Sequence, residues 1–384
     1  MGRRRDTTPP DTSITGGPSG SINQNSATFT FTGSDNVTST ANLRYSYNLD
    51  GGAWSTPSTS TSASLTGLGA GAHTFNVRAV DQANNVDSTP ASRSFSVATT
   101  TTTTRIRKNQ ANLTANERAA FVSAVKALKS DGRYDMIVNE HRTAMLSIRP
   151  DPAHGGPAFF AWHRECLRRY ELLLQSVNPS VTLPYWDWTR DGSATSSIWG
   201  ADFMGGNGDA SSDWRVTSGP FAYSTGEWTL TVNDTPDTPP YLRRTFGLSG
   251  DALPTSTQVN SALTMVPYDA SPWNFDTDIN RSFRKYTEWN IHDVTHRWVG
   301  GNMLQAASPN DPVFFLHHCN LDRLWAMWQR RNATEPYLPS SGGPTGHNID
   351  DPMWPWASES NPPTPRKMLD HRALGYTYDD EASW

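Results

Sequence analysis

The chain changes composition abruptly near residue 100, and this change restricts its fold more than any other feature of the sequence. Residues 1–98 are rich in Thr, Ser, Gly and Asn and contain one of the 15 tryptophans, Trp54. The run 99–104 consists of threonine alone, so it has no hydrophobic face to bury and is typical of a linker. A chain of 384 residues is long enough for two or three domains. We therefore predict one domain at 1–98, a linker at 99–104 and a second domain at 105–384.

Composition and charge exclude several classes of protein. The net charge of −5 argues against a general nucleic-acid binder. Hydrophobic residues make up 35% of the chain, which is enough for a core and excludes wholesale disorder. No apolar run approaches the length of a membrane span, and two cysteines cannot form a disulfide framework. The first residues, MGRRRDTTPPD, are basic but are not followed by an apolar stretch, so we do not interpret them as a signal peptide.

The first domain alternates between apolar and polar residues, as strands with one buried face do. We predict strands at 27–31, 43–49, 73–80 and 92–97. The dipeptide Gly51-Gly52 after Asp50 supplies a tight turn behind the second of them. Short strands at regular spacing predict a small all-β sandwich. The segments LDGGAW and GLGAGAHTFNVRAVDQANNVD resemble the immunoglobulin-like or fibronectin-III-like modules attached to bacterial extracellular enzymes.

The second domain has the apolar periodicity of helices. Thr114 and Glu117 have the spacing of a capping box, and they predict a helix that Gly132 ends. Further helices are predicted at 134–147, from Pro157 onward, at 281–297, and from Asp311 and Pro312 onward. These helices carry inward polar residues and are joined by long irregular segments. The pattern predicts a mainly α domain, a helix bundle with a site at its centre.

Most of the 10 histidines fall in two blocks of this second domain. The first block holds His141, His154 and His163, and the second holds His292, His296, His317 and His318. His292 and His296 are four residues apart, so both rings leave one face of a helix and can reach one ion. A single buried histidine usually bonds a carbonyl, but two such groups make a shared metal the better explanation. Imidazole ligands suit copper, zinc or iron, so residue chemistry leaves the metal open. Periodicity also leaves the choice between His317 and His318 open.

Five segments of the second domain resemble one family, the type-3 copper proteins: tyrosinases, catechol oxidases and molluscan-type haemocyanins. They are HGGPAFFAWHRECLRRYE, LPYWDW, HDVTHRWVGG, NDPVFFLHHCNLDRLW and DHRALGYTYDD. The resemblance, of the bacterial tyrosinase type, implies a four-helix bundle that holds a dinuclear copper site. It implies two ligand sets, His141, His154 and His163 for one copper and His292, His296 and His318 for the other. His318 is selected because the family's ligand lies four residues before the Asp of the NxD element.

The resemblance also implies an activity. A tyrosinase-like enzyme uses O₂ to oxidise o-diphenols to o-quinones and to hydroxylate monophenols at the ortho position, as in melanin formation. One alternative is a catechol or o-aminophenol oxidase without monophenol hydroxylation. Another is a haemocyanin-like O₂ carrier. The substrates implied are small phenols, and neither nucleic acid nor a membrane is expected as a partner.

Several residues around the copper ligands are assigned roles by the same resemblance. Glu288 matches a glutamate that holds a water near the substrate, and Asp293 stands where many tyrosinases have an Asn that shares this water. Ala306 or Ala307 is expected at the position of a bulky residue in several relatives, which implies an open access route. Arg297 is a candidate for steering acidic substrates, with an ordinary surface arginine as the alternative.

The sequence also leads to expectations about the role of the first domain and the location of the protein. Bacterial relatives often use a separate helper protein for copper delivery, and the N-terminal domain could serve in that role by placing Tyr45, Tyr47 or Trp54 over the site. The alternative is a spacer or a polymer-binding module. We expect a secreted protein whose leader is not present in this sequence, with a cytoplasmic location as the alternative.

Overall fold

The computed structural model of the protein describes residues 6–22, 26–69, 71–97 and 105–384. The chain divides into two compact units, with the division near residue 102. The threonine run at 99–104, predicted as a linker, lies outside the described residues. No helix in the described ranges combines the length and apolar character needed to cross a membrane.

The N-terminal unit is built from strands. They are β1 (Asp11–Gly16), β2 (Ser21–Ile22), β3 (Ser26–Ser34), β4 (Arg44–Leu49), β5 (Ser62–Thr66), β6 (Gly71–Val80) and β7 (Ala91–Val97). One sheet has the order β1-β3-β5, and the other has the order β2-β7-β6-β4. The four strands predicted from alternation correspond to β3, β4, β6 and β7 and are confirmed. Sequence reasoning missed the shorter or more polar strands β1, β2 and β5.

Aromatic rings from both sheets form the core of this unit. Phe29 of β3 stacks on Phe75 of β6 with ring centroids 4.1 Å apart, and both side chains are fully buried. Tyr45, one of the aromatic residues suggested for a helper role, belongs to the same core with 2% exposure. Trp54 lies under the guanidinium of Arg78, 4.0 Å from the ring centroid. Each of these four aromatic rings thus packs against residues of the N-terminal unit.

The second unit is mainly helical. Its helices are α1 (Ala115–Ser130), α2 (Arg133–Ser147), α3 (Phe159–Val177), α4 (Ser256–Thr264), α5 (Phe283–Thr287), α6 (Asp293–Val299) and α7 (Val313–Arg331). A π-helical turn, Glu288–His292, joins α5 to α6 without a break. The capping box at Thr114 and Glu117 is confirmed, and all five predicted helices are present within a few residues of their expected bounds. The helix α4 was not predicted.

A parallel pair of short strands brings the two ends of the helical unit together. These are β8 (Arg105–Arg107) and β11 (Tyr376–Tyr378), and the loop between α3 and α4 holds the small hairpin of β9 (Gly208–Asp209) and β10 (Arg215–Val216). Arg107 from β8 donates to the buried carboxylate of Asp322 at 3.1 Å. Tyr376 of β11 donates to the same carboxylate at 2.6 Å.

Asp322 also ties α3 to α7. It lies on α7 and accepts hydrogen bonds from Arg164 of α3 and from Tyr378 of β11. The Asp322 and Arg164 side chains are 2% and 0% exposed. A buried carboxylate is tolerable only when it is paired and fully hydrogen-bonded, as it is here. This network fixes the two helices that carry His163 and His318.

Candidate metal centre

Three histidines of the first block converge inside the helical unit. His141 comes from α2, His163 from α3, and His154 from the loop between these helices. The His154 ring centroid lies 4.9 Å from that of His141 and 5.1 Å from that of His163. One nitrogen from each of the three rings lies within 4.8 Å of the others. We call His141, His154 and His163 the first histidine group.

Each ring of this group is held through its Nδ1 atom. His141 Nδ1 bonds the carbonyl oxygen of Ala306 at 2.7 Å, and His163 Nδ1 bonds that of Phe159 at 2.8 Å. Because Nδ1 is the donor to these carbonyls, Nε2 is left with a free lone pair. The Nε2 atoms of His141 and His163 are buried and have no hydrogen-bond partner.

His154 differs from its two neighbours in being anchored by a carboxylate. Its Nδ1 lies 3.2 Å from Oδ2 of Asp151. The other oxygen, Oδ1, accepts the backbone N–H groups of Ala153 and His154 at 2.8 and 3.1 Å. Asp151 therefore shapes the turn and orients the ring at the same time.

The second histidine group consists of His292, His296, His317 and His318. Their candidate ligand atoms lie within 4.8 Å of one another. His292 and His296 stand side by side on one continuous helix, with ring centroids 4.4 Å apart. His292 Nδ1 bonds Asp293 Oδ1 at 2.7 Å, and His296 Nδ1 bonds the carbonyl oxygen of Met303 at 2.7 Å. The Nε2 of His292 is buried without a partner.

The adjacent rings of His317 and His318 occupy different positions in this group. His318 stacks on His163 with centroids 4.2 Å apart, and its Nε2 lies 3.4 Å from Nε2 of His296. It thus stands between the two groups. His317 packs against Trp188 at 5.3 Å, and neither of its ring nitrogens has a hydrogen-bond partner.

Burial keeps most of these rings neutral. It lowers the pKa of His292 and His296 to about 3. It lowers the pKa of four others well below the usual value; these are His141, His163, His317 and His318. Burial acts in the same direction on His154, but the Asp151 carboxylate outweighs it and raises the pKa of this ring. Neutral imidazole is the form that binds a metal.

The residues present fit a metal of the imidazole-binding type. Buried nitrogens normally have a partner, and here several neutral Nε2 atoms in a small space have none. The two groups also face each other, with the rings of His154 and His292 6.3 Å apart at their centroids. Both cysteines are buried, and burial raises their pKa values, so neither is available as a thiolate ligand.

Two carboxylates predicted to act near the metals lie beside the second group, each with its own partner. Glu288 accepts the N–H of Gly155 at 2.6 Å on Oε1 and Arg284 Nη1 at 2.7 Å on Oε2. Asp293 accepts from His292, and burial raises the pKa of its carboxyl. The π-helical turn begins at Glu288 and ends at His292, so this irregularity sets how both side chains are presented.

A cavity of about 320 Å³ opens onto both histidine groups. Its lining includes Glu288, Asp293 and the partly exposed Trp289. Arg297, predicted to steer acidic substrates, lines it as well, but its guanidinium is paired with Asp251 at 2.9 Å, which offsets its charge. A larger cavity, about 760 Å³, lies along α1 and contains no histidine.

Ala306 and Ala307 were expected at the position of a bulky residue in several relatives, and the open access that this implies stays a prediction. Both are buried, at 6% and 0% exposure, and neither lines the cavity. Their N–H groups donate to the Asp234 carboxylate, and the Ala306 carbonyl anchors His141. The tight turns of this loop direct the two alanines inward, so the wall is formed by other residues of the loop: Met303, Leu304, Gln305 and Ser308.

Sequence reasoning missed Asp151, Asp234 and His347 among the residues that build the site. Asp151 had a local signal, because an Asp followed by Pro often begins a turn, and this turn carries His154. Asp234 and His347 had no local signal in the sequence. They act across 72 and 196 residues of sequence, on Ala306 and Asp151 respectively.

Comparison with known proteins identifies the family of the chain. The family model described as the common central domain of tyrosinase matches residues 131–331. The tyrosinase of Streptomyces antibioticus is 46% identical over 281 residues, 71% of this chain and 99% of that protein. Grixazone synthase of Streptomyces griseus is 38% identical over 309 residues, 71% of this chain and 99% of that protein.

A solved structure shares the fold. The polyphenol oxidase of Thermothelomyces thermophila matches with a TM-score of 0.53 at 23% identity, over 71% of this chain and 88% of that one. The chain therefore belongs to the tyrosinase family. It is a tyrosinase-like oxidoreductase, a copper-dependent phenol oxidase.

Proposed function

We propose that the two histidine groups hold a dinuclear copper site. The first copper would be bound by His141, His154 and His163, and the second by His292, His296 and His318. The Nε2 of His317 also lacks a partner, but the Nε2 of His318 lies 3.4 Å from that of His296, which favours His318. The observation that carries the assignment of the other ligands is the set of buried Nε2 atoms without a partner on His141, His163 and His292. Their Nδ1 atoms are bonded outward, so the free lone pairs point to a common space.

Copper held by these residues would supply redox chemistry, with O₂ as co-substrate and oxidant and a phenol as the electron donor. The proposed reactions are oxidation of o-diphenols to o-quinones and ortho-hydroxylation of monophenols. Each diphenol gives up two electrons and two protons, and O₂ accepts four of each on reduction to water. One O₂ therefore serves two diphenols. In hydroxylation, one oxygen atom enters the ring and the other leaves as water, with the two electrons supplied by oxidation of the diphenol formed to the quinone.

The chain's own residues would receive and orient the phenol. The cavity offers apolar walls from Met145, Phe275 and Trp289 on which an aromatic ring can pack. Glu288 is held rigidly by Arg284 and Gly155, and it would orient the phenol or a water beside the second copper. Asp293 binds His292 through one oxygen, which leaves the other to accept the phenolic proton.

The first experiment is O₂ uptake by the copper-loaded protein with tyramine and with its matching catechol, dopamine. Turnover of both is the expected result. Turnover of dopamine alone would indicate a catechol oxidase, and it would mean that Asp293 does not serve as the proton acceptor for a monophenol. Absence of turnover with two coppers bound would refute the enzyme assignment and favour an O₂ carrier.

Two alternatives remain distinguishable from this proposal. A catechol or o-aminophenol oxidase would turn over dopamine or 2-aminophenol but not tyramine. A haemocyanin-like carrier needs its metals shielded from phenols, whereas the cavity beside these histidines has a mouth with Trp289 43% and Leu304 60% exposed. This open mouth favours an enzyme.

The architecture around the site forms part of the same proposal. The helix α2, the helix α3, the continuous helix from α5 to α6 and the helix α7 each carry histidines of the two groups, which supports a four-helix bundle. The two sheets of the N-terminal unit share one aromatic core, which supports an immunoglobulin-like sandwich. We place the domains at 1–98 and 105–384. Proteolysis at the threonine run should release two resistant fragments.

The N-terminal domain is proposed as a spacer or polymer-binding module of a secreted enzyme. A helper role in copper delivery is the alternative, and Trp54 or Tyr47 would then be the aromatic involved, since Tyr45 is buried in the core. Trp54→Ala and Tyr47→Ala together separate the two. Both should leave copper loading unchanged if the domain is a spacer, and one of them should slow it if the domain assists delivery.

A further inference from the structure

His347 is a buried histidine outside both histidine groups. It is 1% exposed and lies in the irregular segment that follows α7. Its Nδ1 accepts the N–H of Ala158 at 3.1 Å, and its Nε2 lies 3.0 Å from the carbonyl oxygen of Asp151, to which it donates. One neutral ring therefore binds both ends of the segment 151–158.

The segment between these two hydrogen bonds carries His154. This is the one ring of the first histidine group that does not stand on a helix. The same segment carries Gly155, whose N–H donates to Oε1 of Glu288 at 2.6 Å. The position of this loop therefore affects a proposed copper ligand and the carboxylate beside the second copper together.

Close packing reinforces the two hydrogen bonds. A Cβ atom built on Gly156 would lie 2.6 Å from Cε1 of His347, so the ring rests directly on the backbone of the loop. The backbone of His347 is itself held, because its carbonyl accepts the buried hydroxyl of Tyr337 at 2.9 Å. A ring with this support has little freedom to follow movements of the loop.

We propose that His347 is a positioning residue that clamps the loop of His154 in the geometry needed to bind copper. This inference rests on the proposed function, since it presumes that His154 is a ligand. The other two rings of the first group are positioned by α2 and α3, so His154 is the one proposed copper ligand that depends on the clamp; Glu288, which the loop contacts through Gly155, is not a ligand. Loss of the clamp should therefore weaken one copper site and leave the other intact.

The test compares His347→Ala with His371→Ala in the full-length protein. His371 is also a buried, non-ligand histidine of the helical unit, bonded to Glu381 at 3.2 Å, so it controls for the loss of a buried ring. Copper affinity of each site is measured by competition with a chelator, and the melting temperature is measured without metal. The wild-type protein must first bind two coppers, and failure there would refute the proposed function rather than the clamp.

We expect His347→Ala to lower the affinity of one copper site about 10- to 100-fold, with His371→Ala unchanged. Two further substitutions each keep one of the two hydrogen bonds of His347 and test the proposal more closely. In His347→Asn the amide oxygen can still accept from Ala158, and in His347→Gln the amide nitrogen can still donate to Asp151, so each should restore part of the affinity. Equal weakening of both sites, or wild-type affinity at both, would overturn the proposal. If His347→Ala does not fold, the same criteria apply to His347→Gln.

Discussion

The two histidine groups are built in different ways. The second group takes His292 and His296 from one continuous helix and His317 and His318 from the first turns of α7. The first group takes one ring each from α2 and α3 and the third, His154, from a loop that distant residues hold. Helical geometry thus presents the rings of the second group in two neighbouring pairs, whereas the first group also depends on a loop that is held by contacts remote in sequence.

The largest expected effect on the second histidine group is the loss of its copper when one helical histidine is removed. His292→Ala should abolish the second copper and lower oxidase activity more than about 1,000-fold, because oxidation by O₂ needs both metals. The first copper should remain, since the residues that anchor its ligands do not include His292. Copper per chain and O₂ uptake measure the two effects. Two coppers in this variant would refute the ligand assignment.

The next variants separate the adjacent rings of α7. His318→Ala should lose the second copper and the activity, because His318 lies against His296 and His163. His317→Ala should keep two coppers and most of the activity, since His317 packs against Trp188. The two substitutions are matched in size and position, so each controls the other. The reverse pattern would make His317 the ligand.

Each group also contains one carboxylate that anchors a ring, and these give smaller effects. Asp151→Asn should weaken the first copper and Asp293→Asn the second, each about 10- to 100-fold, because an amide orients the ring but lacks the charge that makes it a stronger ligand. Chelator competition measures both. Asp251→Asn, which alters the Arg297 pair, serves as the control and should bind copper normally. An effect of both variants on the same copper would contradict the assignment of the groups.

The same contrast explains what the sequence could and could not predict. The spacing of His292 and His296 was sufficient to place both rings on one helix face, and a capping box located α1. Periodicity could not choose between His317 and His318, because both stand within reach of the same space. The inward direction of Ala306 depends on Asp234, and no local pattern encodes a contact of that kind.

A further expected difference between the groups concerns the pH dependence of folding in the metal-free protein. Burial lowers the pKa of His292 to about 3, while an unfolded histidine titrates near 6.5. Below pH 6.5 the His292 side chain of the unfolded chain therefore binds a proton, whereas the same side chain in the folded protein stays neutral down to about pH 3. The free energy of unfolding should fall as the pH drops from about 6.5 toward 3, by up to about 1.4 kcal/mol per pH unit for this group.

His154 should contribute with the opposite sign. Its pKa is raised in the folded protein, because Asp151 outweighs burial, so protonation stabilises the fold. This contribution is fully present below pH 6.5 and is lost as the pH rises through the folded pKa. Denaturant unfolding at several pH values should show a shallower decline between pH 6.5 and 3 in His292→Ala, whereas His154→Ala should lose the part of the stability decline that occurs as the pH rises above 6.5. Parallel pH profiles for the two variants would mean that Asp151 does not distinguish the first group electrostatically, and that the loop is held by hydrogen-bond geometry alone.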